Sequence, residues 1–133
     1  MHSDQPTLTV SQLEKLGAHL RKYKNGELHT VDLSEANEVI DDQTIRQLAG
    51  HLQLTELNLT NASISDAAPG YLAKHDKLRV LNFQNTQLTD SCLTDLLPMQ
   101  QLQLLVLTGT LVTQAAVNSI RPTMINTRII LNR

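Results

Sequence analysis

Apolar residues along this chain recur in a pattern that repeats every 24 residues over most of its length. One copy lies at 78–101, where the apolar positions follow L-x-x-L-x-L-x-x-x-x-L. Leu81 and Phe83 are two residues apart, so they point to the same face of a short strand. Apolar residues at helical spacing follow from Leu93, and Pro98 ends them. The pattern predicts one strand, one turn and one short helix, which together cannot bury a core alone.

The same pattern fits four full copies and a final fragment. We place the copies at 28–53, 54–77, 78–101 and 102–125, with a partial copy at 126–133. The corresponding strands are predicted at about 29–33, 55–59, 79–83, 103–107 and 128–132. The first copy contains two additional residues near Glu38. In the second copy Pro69 takes the place of an apolar helix residue, which predicts a shifted or shorter helix.

A repeat of this length with this leucine spacing resembles the leucine-rich repeat family from Leu28 to the end of the chain. The resemblance implies an α/β fold: a solenoid with a curved parallel sheet on the concave side and short helices on the convex side. The family usually has Asn at the turn after the strand, where its amide binds the neighbouring repeat. This chain departs from that pattern with Ala62, Thr86 and Thr110. The T-x-[LV]-T segments that begin at the two threonines resemble a short bacterial variety, some relatives of which lie beside c-type cytochrome domains.

Residues 1–27 lack the repeat and are predicted to form a polar tail and an N-terminal capping helix. Ser11 and Glu14 match the capping box S-x-x-E, and leucines at helical spacing follow. We expect a helix over about residues 12–24 that ends at an Asn-Gly pair. Such a helix would cover the N-terminal end of the stack, because terminal repeats need a cap. A membrane-surface helix is the alternative, but the basic cluster is short and the apolar face narrow.

Side chains that alternate with the core leucines are expected to form columns on the other face of the sheet, because neighbouring strands lie about 4.8 Å apart. The N-terminal half of these columns is polar and acidic, whereas the C-terminal half is apolar. An outward apolar cluster indicates a contact surface. We therefore predict a protein-binding surface composed of Val80, Asn82, Leu104, Val106, Arg128 and Ile130. The alternative is that further sequence, or a second copy of the chain, covers the cluster.

The last predicted strand leaves a bare sheet edge, and exposed edges recruit other strands. Two interpretations stay open from the sequence: two copies pair through this edge as a homodimer, or the natural protein continues beyond Arg133. In both interpretations the edge is a contact surface for polypeptide.

Composition narrows the range of partners and locations. Aromatic residues make up 2% of the chain and the net charge is −2, which argues against a nucleic-acid partner. The single cysteine excludes an intrachain disulfide. No apolar run approaches about 18 residues, so we expect no membrane insertion. The N-terminus lacks the apolar core of a signal peptide. If the chain is full length, this predicts a cytoplasmic location; if it is a fragment of a longer protein, it predicts no location.

The titratable residues do not form a recognisable catalytic, cofactor or metal set. His51 and His75 occupy one repeat position and are predicted to be neighbours in exposed loops, without the tight spacing of a metal site. Cys92 follows a predicted helix N-cap, where a thiolate is favoured, yet a structural or surface thiol is the simpler interpretation. We therefore expect a non-catalytic protein-protein interaction module or scaffold that needs no cofactor. The alternative is an accessory or interdomain module of a larger, redox or cytochrome-associated complex.

Overall fold

The computed structural model describes residues 7–132, and within them the chain forms a mixed α/β structure around one open sheet. The strands, in sheet order, are β1 (His19–Lys22), β2 (Leu28–Asp32), β3 (Glu56–Asn58), β4 (Val80–Asn82), β5 (Leu104–Val106) and β6 (Arg128–Ile130). The α-helices are α1 (Val10–Lys15), α2 (Asp42–Arg46), α3 (Leu93–Leu96) and α4 (Gln114–Ile120). Two 3₁₀ helices, Ala68–Leu72 and Asp90–Cys92, complete the described elements.

Strands β2 to β6 are parallel and keep the register that the repeat predicts. Thr30 pairs with Glu56, and each later partner lies 24 residues further along the chain, at Val80, Leu104 and Arg128. In each of these strands the middle one of the three residues that pair with the neighbouring parallel strand faces the core. These residues are Val31, Leu57, Leu81, Leu105 and Ile129, and all are buried. The predicted strands are therefore confirmed in position and orientation.

Strands β3 to β6 are shorter than predicted, and at the ends of β3 and β4 the last side chain turns the backbone. Asn58 Oδ1 accepts the backbone N–H of Thr60 at 3.0 Å, and Asn82 Oδ1 accepts that of Gln84 at 2.9 Å. Asp32 makes the same contact at the end of β2. A side-chain acceptor two residues before the donor closes a tight local turn, which ends the ladder after three residues in β3 and β4.

The predicted N-terminal helix over residues 12–24 is wrong beyond Lys15. Helix α1 ends at Lys15, and Gly17 then adopts a left-handed φ of 88° that a helix cannot continue. Residues 19–22 instead form β1, which pairs antiparallel with β2. The Asn25-Gly26 pair is the turn of this hairpin rather than a helix cap, with Gly26 at a φ of 88°.

Helix α1 also starts two residues earlier than the predicted capping box. Thr9 is the N-cap, and it exchanges hydrogen bonds with Gln12 at 2.8 and 3.1 Å. Leu13 is fully buried, so α1 does pack against the core at the N-terminal end. Of the predicted polar tail, residues 1–6 lie outside the described residues, and Leu8 is fixed by a 2.8 Å bond from its N–H to the Gln47 carbonyl.

The second repeat has the short helix that Pro69 predicts. Residues Ala68–Leu72 form a 3₁₀ helix with proline in the first turn, where no backbone N–H is needed. Ala68 and Leu72 are fully buried, so the shortened helix still closes the core over strand β3.

The threonines at the turn column bind their own repeat. Thr86 Oγ1 donates to the Phe83 carbonyl at 2.8 Å, and Thr110 Oγ1 donates to the Leu107 carbonyl at 2.7 Å. Both side chains are buried. These hydroxyls therefore bind the turn of their own repeat and do not connect it to the next repeat. Other side chains make such a connection.

Three aspartates make that connection, and we call them the aspartate ladder. Each carboxylate accepts both the backbone N–H and the hydroxyl of a Ser or Thr 23 residues later. The pairs are Asp42 with Ser65, Asp66 with Thr89, and Asp90 with Thr113. Ser65 precedes the 3₁₀ helix of the second repeat, and the two threonines cap the helical segments of the third and fourth. The ladder therefore fixes the start of each helical segment to the preceding repeat.

Candidate protein-binding surface

The face of the sheet opposite the core consists of two rows of side chains that run across the strands; we call it the open face. The residues predicted to bind a partner lie together on it. Val80, Leu104 and Arg128 are consecutive in one row, and Asn82, Val106 and Ile130 are consecutive in the other. The alternation of burial along each strand explains this placement, because the middle residue of each strand takes the core side.

Four of these residues are apolar, and all four are only half-buried. Val80, Leu104, Val106 and Ile130 form a contiguous patch on strands β4 to β6. Asn82 borders the patch, and its Oδ1 is held by the N–H of Gln84, which fixes the side chain in place. The surface therefore offers apolar area and an amide held in a fixed position.

Strand β1 adds charged residues to the open face that the sequence interpretation did not place there. His19 pairs with Asp32 and Arg21 pairs with Thr30, while Leu20 packs toward the core between them. His19 Nε2 lies 3.0 Å from Glu35 Oε1 in an exposed pair. An Asn-Gly pair flanked by alternating residues is a hairpin signal, and it could have indicated this strand.

Charge changes sign along the open face. Arg21 on β1 is followed by Asp32 on β2 and Glu56 on β3. The apolar patch follows, and Arg128 on β6 is exposed at its far side. The apolar patch thus lies between an acidic border and a basic border, which would orient a partner of complementary charge.

The prediction of two exposed histidines is wrong for His75, which is fully buried. His75 Nε2 contacts the Leu48 carbonyl at 3.1 Å, and His51 Nε2 contacts the Leu8 carbonyl at 2.6 Å. Each imidazole therefore connects its loop to a preceding segment. Burial lowers the pKa of His75, because the charged ring would lose its hydration. Within residues 7–132, no three His, Cys, Asp or Glu side chains lie close enough together to hold a metal ion.

We expect the buried neutral His75 to make stability depend on pH below the ordinary histidine pKa of 6.5. Below this pH the imidazole of His75 binds a proton in the unfolded chain, whereas in the folded chain it binds one only at a lower pH. The free energy of unfolding therefore falls as the pH falls between the two pKa values. Urea unfolding at pH 7.5, 6.5 and 5.5, chosen around the ordinary histidine pKa of about 6.5, measures the slope. His75→Gln should flatten it, whereas His19→Gln, at an exposed site, should not. An unchanged slope in His75→Gln would contradict this assignment.

Cys92 is buried, and its environment disfavours the thiolate. Burial, followed by the nearby carboxylates of Asp66, Asp90 and Asp95, raises the pKa of the thiol to about 12. The expectation that the helix start would favour a thiolate is wrong, because desolvation and negative charge outweigh it. The interpretation of Cys92 as a structural thiol agrees with this burial.

An open groove of about 660 Å³ lies away from the apolar patch, beside the starts of the helical segments. Its lining is polar and includes Asp42, Ser65 and Asn85. Asp42 accepts two hydrogen bonds from Ser65 as part of the aspartate ladder, so these polar groups have a structural use. No helix within the described residues is long and apolar enough to cross a membrane.

No family model matches the chain, and no curated protein is significantly similar to it. The resemblance to leucine-rich repeats therefore depends on the repeat pattern and on the strand register that follows it.

Proposed function

We propose that residues 28–133 are a leucine-rich repeat solenoid and that the open face is the concave side of its sheet. The strand register of 24 residues supports this, as does the helical segment after each of β2, β3, β4 and β5. The aspartate ladder supports it further, because it takes the repeat-to-repeat role that Asn has in the family.

We propose that this solenoid is a non-catalytic protein-protein interaction module. The apolar patch of Val80, Leu104, Val106 and Ile130 carries the proposal, because the opposite side of the same strands already fills the core. Apolar side chains that add nothing to the core gain free energy when a partner removes them from water. Asn82 and Arg128 at the border of the patch would supply the polar contacts that orient the partner.

A random peptide library displayed on phage tests the proposal, with the wild-type chain as target. Peptides selected on the wild type should bind the double variant Leu104→Glu, Val106→Glu at least about 30-fold more weakly, the loss expected for a binding hot spot. The reason is that a partner would have to bury two carboxylates against apolar groups. Fluorescence anisotropy on synthetic copies of the peptides gives the affinities.

Leu111→Glu is the matched control, because Leu111 is 60% exposed and lies outside the strands. It should leave peptide affinity unchanged. Circular dichroism should show all variants folded, since none of the three side chains faces the core. The proposal would be contradicted if the double variant bound the peptides as tightly as the wild type, or if Leu111→Glu lost as much affinity as the double variant. A selection that yields no binder would also contradict it.

A further inference from the structure

The outer edge of β6 carries backbone groups that no other strand pairs within residues 7–132. Arg128 N–H donates to the Gln103 carbonyl, and the Ile130 carbonyl accepts from Leu107 N–H, both at 2.8 Å. Residues 128 and 130 therefore direct their backbone groups toward β5. In a parallel ladder the intervening residue directs its groups to the other side, so the N–H and carbonyl of Ile129 face the outer edge.

One side chain already occupies this edge. Arg121 Nη2 contacts the Ile129 carbonyl at 3.4 Å, which is long for a charge-assisted hydrogen bond. A hydrogen bond of this length is weak, so a shorter hydrogen bond to the Ile129 carbonyl can replace it. An incoming strand can give the Ile129 carbonyl a backbone N–H, and the released, exposed guanidinium can then pair with a carboxylate of that strand.

Charge at the two ends of the sheet opposes pairing between copies of this chain. Arg121 and Arg128 are exposed at the β6 end, and the sequence has no Asp or Glu after Asp95. The other edge strand, β1, carries exposed Arg21 and Lys22. Pairing β6 with β6, or β6 with β1, would bring basic side chains together, and this repulsion disfavours pairing between copies. The homodimer, one of the two interpretations left open by the sequence, is therefore less favourable than an acidic partner.

We propose that the β6 edge binds an extended segment of a partner protein in which acidic and apolar residues alternate, as an added strand of the sheet. This inference rests on the proposed function, because it names the partner for one border of the same module. On the core side the added strand would place apolar residues next to buried Ile129 and half-buried Leu131. On the open face it would place carboxylates opposite Arg128. In strand addition of this kind, main-chain hydrogen bonds provide the affinity and alternate side chains provide the selectivity.

Three short fluorescent peptides test the proposal on the complete 133-residue chain. The first alternates Glu with Val, the second replaces each Glu with Gln, and the third replaces each Glu with Lys. At low ionic strength we expect saturable binding of the Glu peptide by anisotropy. The Gln peptide should bind about fivefold or more weakly, the Lys peptide should not bind, and added salt should reduce the difference.

The double variant Arg121→Glu, Arg128→Glu should reverse the preference and bind the Lys peptide. Arg21→Glu, on the opposite edge strand, is the matched control and should bind the Glu peptide as the wild type does. Hydrogen exchange should show new protection of the Ile129 N–H when the Glu peptide is bound. Light scattering should show a monomer with and without the peptide.

The proposal would be overturned if the wild type bound the Glu and Gln peptides with equal affinity. It would also be overturned if Arg21→Glu weakened Glu-peptide binding as much as Arg121→Glu, Arg128→Glu does. A wild-type dimer whose mass changes in Arg121→Glu, Arg128→Glu would overturn it as well. The interaction-module proposal would survive such results if peptides selected on the wild type still fail to bind Leu104→Glu, Val106→Glu. Conversely, the wild-type chain can bind the Glu peptide at the β6 edge even if the phage library yields no peptide that binds the open face. The two experiments therefore separate the edge from the open face.

Discussion

Phe83→Ala should lower the free energy of unfolding by about 3–5 kcal/mol. Phe83 is fully buried and is the largest of the fully buried side chains. In the neighbouring repeats its place is taken by Leu33, Leu59 and Leu107, which are also buried. Alanine would remove most of the ring from this column and leave a cavity that the fixed strand spacing cannot close. A domain is usually stable by only about 5–15 kcal/mol, so this loss should be visible in urea unfolding.

Phe83→Leu is the matched control, because it gives the third repeat the residue found at this position in the others. We expect it to cost about 1.5 kcal/mol or less, since leucine keeps much of the volume. Leu111→Ala should change stability by less than about 0.5 kcal/mol, because Leu111 is 60% exposed. If Phe83→Ala cost no more than Leu111→Ala, the strand faces assigned here would be wrong.

The sheet register was predictable because two independent periods agree. Alternation within a strand assigns Leu81 to the core and Val80 to the open face, and the 24-residue repeat then places Val80 beside Leu104. Side-chain neighbours on the open face follow directly from these two periods. The identity of a partner does not follow from them. An apolar patch indicates that some surface covers it, but many different surfaces can do so.

The N-terminal region was not predictable by the same means, because two patterns overlap there. Leu13, Leu16 and Leu20 fit one face of a helix, yet Leu20 belongs to a strand that pairs with residues of β2. Gly17 separates the two elements, and pairing with β2 then outweighs helix spacing. His75 was missed for a related reason: a polar loop residue can be buried when a hydrogen bond offsets part of the cost. Here His75 Nε2 contacts the Leu48 carbonyl, while Nδ1 has no hydrogen-bond partner among the described residues.

Asp66→Ala should have the second-largest effect on stability, about 2 kcal/mol. The carboxylate of Asp66 accepts the Thr89 N–H at 2.7 Å and the Thr89 hydroxyl at 2.5 Å. Alanine removes both charge-assisted bonds and leaves the start of the next helical segment without its link to the preceding repeat. A hydrogen bond to a charged group contributes about 1.5–3 kcal/mol. Asp66 is half-buried, so water can replace part of both bonds and keep the loss below the sum of two such contributions.

Asp76→Ala is the matched control, because Asp76 is an exposed aspartate of the same repeat, and it should change stability by less than about 0.5 kcal/mol. A double-mutant cycle of Asp66→Ala with Thr89→Val tests whether the contact itself carries the effect. Because the pair shares its bonds, the two losses should not add, and the coupling should be about 1 kcal/mol or more. Strict additivity would mean that Asp66 stabilises the chain in some way other than through Thr89. Measurable coupling would make the aspartate ladder a means by which each repeat fixes the next.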